Sequence, residues 1–423
     1  MSFLRGLKLA SFARRHLGRM SRGRGEVTRH LDGAGPLPMP TFVQLKVTNV
    51  CNLRCRMCGQ WGETGIYRPG EGDEATDGRE ERSRVRELVG RQRQMGLPSW
   101  TRLLDEIAAW SPIVSIYGGE PLLYPGLVPL IREVKKRGLT CTMITNGWDL
   151  EEMARPLAES GIDAIAVSID GPPGVHDRIR GREGSFARVA AGVRALARER
   201  DRAGSAVPML LAIFPVTELN LPDAGPALEA LRELPLDTIN VGLRWFVGKE
   251  AGAEYEEVMR REFGVSGESW RGFSFEGADF AAVRREQLLG LAKLLGRARK
   301  KRFVDATLGR PWISFVPDVP AAGVPGYFAE PEKTFGHDLC PVAWYFAQVE
   351  PDGQVCFCGD FPDYFLGSVL ETSFREVWTG ERAERFRRKL AKEPLPICSR
   401  CCGSWVYGAW KRPAVVPGDQ PAP

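Results

Sequence analysis

Beyond residue 41 the chain alternates short runs rich in β-branched residues with longer stretches whose apolar positions recur every three or four residues. The runs "FVQLKVT", "IVSIYGG", "LTCTMIT", "IDAIAVSID", "VPMLLAIFP" and "LDTINVGLRWF" predict strands. Helices are predicted between them, near 101 to 110, 126 to 137, 150 to 160, 186 to 201 and 222 to 234. Such β-α repetition requires parallel strands, because each helix carries the chain back to the edge where the last strand began. Six strands suit a partial (β/α)6 TIM-like barrel better than a closed eight-stranded one, so the fold class expected is α/β. In parallel barrels the working residues stand where strands end. The notable polar residues stand there: Gly118, Gly119 and Glu120 of "YGGEP", Thr145 and Asn146 of "TNG", and Ser168 and Asp170 of "SIDG".

Residues 61–97 interrupt the rhythm with glycine and mixed charge, as a solvated linker or as a lid over the site. The organisation expected is a basic N-terminal helix or extension over 1–40, a core barrel over 41–250 and a helical, proline-rich connection over 251–337. A small C-terminal cysteine-rich α+β domain over 338–411 and a disordered tail over 412–423 follow. In the small domain "WYFAQVEPDGQVCFCGD" predicts a hairpin with an Asp-Gly turn, and "TSFREVWTGERAERFRRKL" a helix. This piece shows few apolar residues, and a bound metal is expected to supply its core.

Charge changes the picture only at the N-terminus. The net charge of +5 over 423 residues is modest and does not suggest a nucleic-acid binder. Residues 1 to 30, however, hold eight Lys or Arg and one acid, Glu26, and so carry +7. On a helix Arg5, Lys8, Arg15, His16 and Arg19 share one arc, while Phe3, Leu7, Ala10, Ala13, Leu17 and Met20 lie mostly opposite. Residues 1–24 therefore read either as a helix lying on an anionic membrane or as a solvated helix that caps the barrel or docks a partner. No charge-free stretch is long enough to span a membrane, and the N-terminal segment has no uninterrupted apolar region typical of a signal peptide. The location expected is cytoplasmic, at most peripheral to a membrane. In that reducing compartment ten cysteines point to metal ligands rather than disulfides.

Cys51, Cys55 and Cys58 fall within eight positions. A closed structural zinc or a closed cubane takes four ligands. Three leave one metal position free, and a free position is where a cofactor or substrate binds. The spacing Cys-x3-Cys-x2-Cys lets one loop wrap three corners of a 4Fe–4S cluster.

With these residues the chain resembles a radical S-adenosylmethionine (radical SAM) enzyme. The CxxxCxxC motif stands as "CNLRCRMC", followed in order by "YGGEP", "TNG" and "VSIDGPPGVHDRIRG". The likeness covers about residues 41 to 220. Met57 departs from it, standing where the family often has an aromatic residue, and bears on how the adenine packs. The resemblance implies that the cofactor's amino and carboxylate groups chelate the open iron. It also implies an electron donor such as flavodoxin or ferredoxin, and a 5′-deoxyadenosyl radical that takes hydrogen from the substrate. It places Gly118, Gly119 and Glu120 at the methionine amine, Asn146 among the cofactor contacts, Ser168 and Asp170 on the ribose and methionine side, and Arg180 at the carboxylate. The alternative for Asp170 and Arg180 is a structural loop pair.

The later cysteines are similar to the opening of the SPASM and twitch domains that follow many such enzymes. Cys340 is followed by Gly353 and Cys358, and the group closes with Cys398 and Cys401. Six cysteines cannot fill two complete cubanes, so one auxiliary 4Fe–4S cluster on Cys340, Cys358, Cys398 and Cys401 is the economical count. Cys356, on the same strand face as Cys358, could exchange with it. Cys402 is spare, and a structural zinc on the same four thiolates is the alternative. Lone Cys141 reads as a core thiol. The substrate expected is a peptide or protein side chain. The alternatives are a small-molecule, lipid-linked or sugar substrate, or a non-catalytic iron–sulfur or zinc module. About forty residues before the first strand are too few for a winged-helix leader-binding domain.

Overall fold

All six expected strands form: β1 (Phe42–Lys46), β2 (Ile113–Tyr117), β3 (Thr140–Thr145), β4 (Ala164–Ser168), β5 (Met209–Val216) and β6 (Thr238–Leu243). The computed structural model describes residues 3–62, 65–67, 94–407 and 410. Neighbouring strands pair in parallel, in chain order, with helices between them. The apolar period sets how those helices sit. In Leu127–Lys136 the buried residues are Leu127, Leu130, Ile131 and Val134, one stripe at i, i+3, i+4 and i+7 turned to the sheet. Each such leucine contributes about 2 kcal/mol by leaving water. Cys141 is wholly buried in β3, in keeping with a core thiol.

The partial α/β barrel with a cysteine-rich C-terminal part is thus present, and four further strands extend its sheet. A seventh parallel strand, β7 (Trp312–Val316), pairs with β6 inside the stretch read as a proline-rich connection. Its five residues lie between Pro311 and Pro317, which mask so short a run. The expected hairpin forms as β8 (Phe346–Val349) and β9 (Gln354–Cys356), with Gly353 in the left-handed region at φ +89°. It does not stand apart: β8 also pairs in parallel with β1, Phe42 opposite Phe346, and β10 (Gly367–Ser368) adds to β9. One ten-stranded sheet therefore runs from the barrel into the C-terminal part.

Two expectations for that part are corrected. The single helix is two, Phe374–Thr379 and Glu381–Lys392, divided at Gly380 in extended conformation. The missing core exists: Trp344, Phe357, Phe374, Trp378, Phe386 and Leu390 are buried. Arg387 is buried among them, donating to the carbonyls of Ala343 and Trp378 at 2.8 Å each and lying over the Trp378 ring. Aromatics, and a guanidinium held through Nε and Nη2, supply what a count of aliphatic residues misses.

The N-terminal helix Phe3–Leu31 crosses the end of the barrel opposite the cysteines. Val27 and Leu31 are buried, Arg19 donates to the Pro112 carbonyl at 3.2 Å, and Tyr345 donates to that of Met20 at 2.9 Å. This half acts as a cap. The side chains of Arg5, Lys8 and Arg15 lie outside the described residues, as do the tail 412–423 and most of the 61–97 insertion read as a lid. The insertion's near ends are tied down: Tyr67 is buried, and Met95 donates its N–H to Pro351 O at 2.7 Å. Among the described residues no helix is long and apolar enough to cross a membrane.

Candidate active site at two cysteine groups

β1 ends at Lys46, and the chain turns over the top of the sheet into the loop of Cys51, Cys55 and Cys58. The loop is wound by its own backbone: Cys58 N–H donates to Cys55 O at 3.0 Å and Gly62 N–H to Cys58 O at 2.8 Å. Leu53 N–H approaches Cys51 Sγ at 3.5 Å and Trp61 N–H approaches Cys58 Sγ at 3.4 Å. Arg180 Nη1 lies 3.7 Å from Cys55 Sγ, and Asn146 Nδ2 lies 3.8 Å from Cys51 Sγ. Each thiol thus has a donor aimed at it, which suits a thiolate. Left to themselves Cys51 and Cys55 hold their protons: burial pushes Cys55 up to about 12, against the pull of Arg180, and burial also raises Cys51. A bound cation reverses that balance, because a metal-bound thiol is deprotonated outright.

Gly118 and Gly119 are glycines for a reason visible without any ligand. A Cβ on Gly118 would sit 2.5 Å from Thr48 O, and one on Gly119 would sit 2.3 Å from Val50 O. Only bare backbone lets the cysteine loop lie on the end of β2. Glu120 is buried and fully engaged. It accepts from Leu122 N–H at 3.0 Å, the Thr145 hydroxyl at 2.7 Å and Asn146 N–H at 2.7 Å, tying β2 to β3. Burial outweighs these bonds and raises its carboxyl to about 7. Asn146 also donates to Asn52 Oδ1 at 2.9 Å.

Ser168 is half-buried at the end of β4. Asp170 is completely buried and accepts from both Arg180 Nε and, at 3.0 Å, Arg180 Nη2. The fork expected for a ligand carboxylate is therefore closed by Asp170, which is the structural-pair alternative, and only Nη1 is left to reach toward Cys55. Asp170 is fixed in turn by its own backbone, with N–H to His176 Nδ1 at 3.1 Å and its carbonyl accepting from Asn220 at 2.7 Å.

In the second group Cys340 precedes β8, Cys358 follows β9, and Cys398 and Cys401 lie on the turn around Pro396–Arg400. A Cβ on Gly403 would meet Cys340 Sγ at 3.4 Å and Cys401 Sγ at 3.9 Å. A hydrogen bond with Cys398 lowers Cys340 and raises Cys398, while Cys358 is raised by burial and then by Cys340 and Cys401. These four sulfurs feel one another. Cys356, raised by burial, faces Glu350, Lys46, Asp352 and Asp360 instead; Cys402 donates to Asp360 at 2.7 Å and is also hydrogen-bonded with Cys401, which raises it. All ten cysteines are free thiols. Among the described residues no three Cys, His, Asp or Glu converge as a single-ion site would. The corners of a cubane stand further apart and make no such demand.

Between the groups runs a buried polar link that the sequence reading missed. Lys46 Nζ lies 3.0 Å from Glu350 Oε2 and donates to the Tyr67 hydroxyl at 2.6 Å. Burial works against the Lys46 charge, but Glu350 and Tyr67 more than offset it and its pKa is raised. Gln60 donates to the Tyr117 hydroxyl at 3.0 Å, and Tyr117, raised by burial, feels Asp360, Cys58 and Cys402 together. The one signal for this in the sequence is a lysine closing β1 between Leu45 and Val47, both buried.

Two family descriptions match the chain: "Radical SAM superfamily" over residues 45–211 and the SPASM "Iron-sulfur cluster-binding domain" over residues 340–402. The chain is similar to PqqA peptide cyclase of Ruegeria pomeroyi, 31% identical over 374 residues that span 86% of this chain and 80% of that protein. It is 26% identical to pre-heme d1 synthase of Dinoroseobacter shibae over 392 residues, 90% of this chain and 81% of that protein. Among solved structures, Streptococcus suis SuiB bound to precursor peptide SuiA shares the fold. The TM-score is 0.52 at 13% identity, covering 94% of this chain and 75% of that chain.

Proposed function

Because the chain belongs to the radical SAM superfamily and carries a SPASM iron–sulfur domain, we propose that it removes hydrogen from a peptide or protein side chain. It is an enzyme whose cofactors are a 4Fe–4S cluster, S-adenosylmethionine and auxiliary iron–sulfur. When bound, cluster and cofactor supply a 5′-deoxyadenosyl radical that takes a hydrogen atom from the substrate.

This chain's residues do the rest. Cys51, Cys55 and Cys58 hold the catalytic cluster and leave one position for the cofactor. Backbone carbonyls at Gly118 and Gly119 would accept from its amine, with Glu120 bracing that turn through its bonds to Thr145 and Asn146 at the end of β3. Asn146 and Ser168 line the same strand ends. Arg180 acts as a positioning residue: locked by Asp170, it directs one N–H at Cys55. Cys340, Cys358, Cys398 and Cys401 hold the auxiliary cluster, and the N-terminal helix serves as a cap.

The observation that carries the peptide reading is the 31% identity to a peptide cyclase across most of both chains. A second reading, a tetrapyrrole-like small molecule, is favoured by the 26% identity to pre-heme d1 synthase. To separate them, reconstituted enzyme with S-adenosylmethionine and dithionite is given cell extract before and after protease digestion. A peptide substrate raises 5′-deoxyadenosine formation above the enzyme's own rate, and protease removes the increase. An increase that survives digestion selects the small molecule.

A further inference from the structure

We infer that the outer face of the helix Arg285–Thr307 docks on an anionic lipid surface. The helix carries two apolar sets. Leu288, Leu291, Ala292, Leu295 and Ala298 are buried against the barrel, and this is the stripe that folding requires. A second set points away from it: Leu289, Phe303, Val304 and Leu308 are 44%, 64%, 59% and 66% exposed. The backbone fixes these side chains in place. Leu308 N–H donates to Val304 O at 3.1 Å and Arg310 N–H to Asp305 O at 2.9 Å, closing the last turn around Gly309 at φ +76°. The Phe303 ring stands edge-on to Trp312 of β7, with centroids 5.0 Å apart.

The same face is basic. At about 100° per residue Leu289, Lys293, Arg297, Lys300, Val304 and Leu308 share one arc along the helix, with Lys301 at its rim. Lys293, Arg297, Lys300 and Lys301 are exposed, and among the described residues no ion pair takes up any of the four. The helix holds two acids. Asp305 is buried, 3.1 Å from Arg310 and 3.4 Å from Arg232, and Glu286 lies at the other end, about 20 Å from Lys300 at 1.5 Å per residue. Exposed Asp318 pairs with Arg299. An apolar tip behind a collar of lysine and arginine suits an anionic bilayer: Phe303, Val304 and Leu308 enter the acyl boundary while the cations stay among the phosphates. A second copy of the chain is disfavoured, because a two-fold contact through this face brings like charges together.

The test is sedimentation of the reconstituted full chain with vesicles of phosphatidylcholine alone, or of phosphatidylcholine and phosphatidylserine, at low and high salt. Binding to the anionic vesicles and not to the neutral ones is expected. Lys300→Glu with Lys301→Glu should weaken it by about tenfold or more. Phe303→Ser with Leu308→Ser should also weaken it and leave a remainder that high salt abolishes. Both double variants should form 5′-deoxyadenosine with dithionite at the unaltered rate, which shows that the fold is intact. Failure of the unaltered enzyme to sediment with anionic vesicles overturns the site, and is the result if an acidic protein covers this face instead. Undiminished binding by both variants overturns it as well, and is the result if the basic N-terminal helix alone meets the lipid.

Discussion

Replacing Cys51, Cys55 and Cys58 together by alanine removes about four of about eight irons from the reconstituted enzyme and abolishes reductive formation of 5′-deoxyadenosine. The effect is expected to be all-or-none because, on the proposed reading, the three thiolates of this one loop are the ligands of the catalytic cluster. The variant should stay folded. The loop is fixed by contacts that do not involve sulfur, among them Arg56 N–H to Ile179 O and Gly119 N–H to Thr48 O. The glycine seat under it is also untouched. Iron analysis and product assay on the same preparation check both halves of the expectation. Undiminished cleavage would remove these three residues from the chemistry.

The second expectation separates two cysteines that lie two residues apart. Cys358→Ala should lose the auxiliary cluster and leave about four irons, whereas Cys356→Ala should keep about eight. Cys358 feels Cys340 and Cys401, while Cys356 faces Glu350, Lys46 and Asp360 on the side of the polar link. Metal binding contributes to folding stability, so Cys358→Ala should also raise proteolysis around residues 398–402. It should not unfold the C-terminal part, which β8 anchors to β1 and which Trp344, Phe374 and Trp378 fill. Equal iron in the two variants would contradict the grouping.

What could be read beforehand was what is local. β-Branched runs marked β1 to β6, Asp352-Gly353 marked the hairpin, and three cysteines in one loop marked an open metal position. What escaped depends on contacts distant in sequence or on a close choice. β8 joins β1 across some three hundred residues, and no local pattern encodes that pairing. Asp170 and Arg180 were singled out, but whether the arginine meets a ligand or its neighbour depends on a fork geometry that only the fold supplies. Strand alternation puts Cys356 and Cys358 on one face and cannot choose between them. The distinction comes from the chain leaving β9 at Cys356, so that Cys358 turns with the loop toward Cys340. Lys46 was in view in "FVQLKVT", but its partners Tyr67 and Glu350 lie in separate segments.

The central claim is that one cluster is open to the cofactor and the other is closed by four thiolates. Electron paramagnetic resonance of the dithionite-reduced enzyme, with and without S-adenosylmethionine, tests it most directly. Two cluster signals are expected. The cofactor should change only the one that is missing from the Cys51→Ala, Cys55→Ala, Cys58→Ala variant. The claim is contradicted if neither signal responds to the cofactor, or if the responding signal survives in that variant.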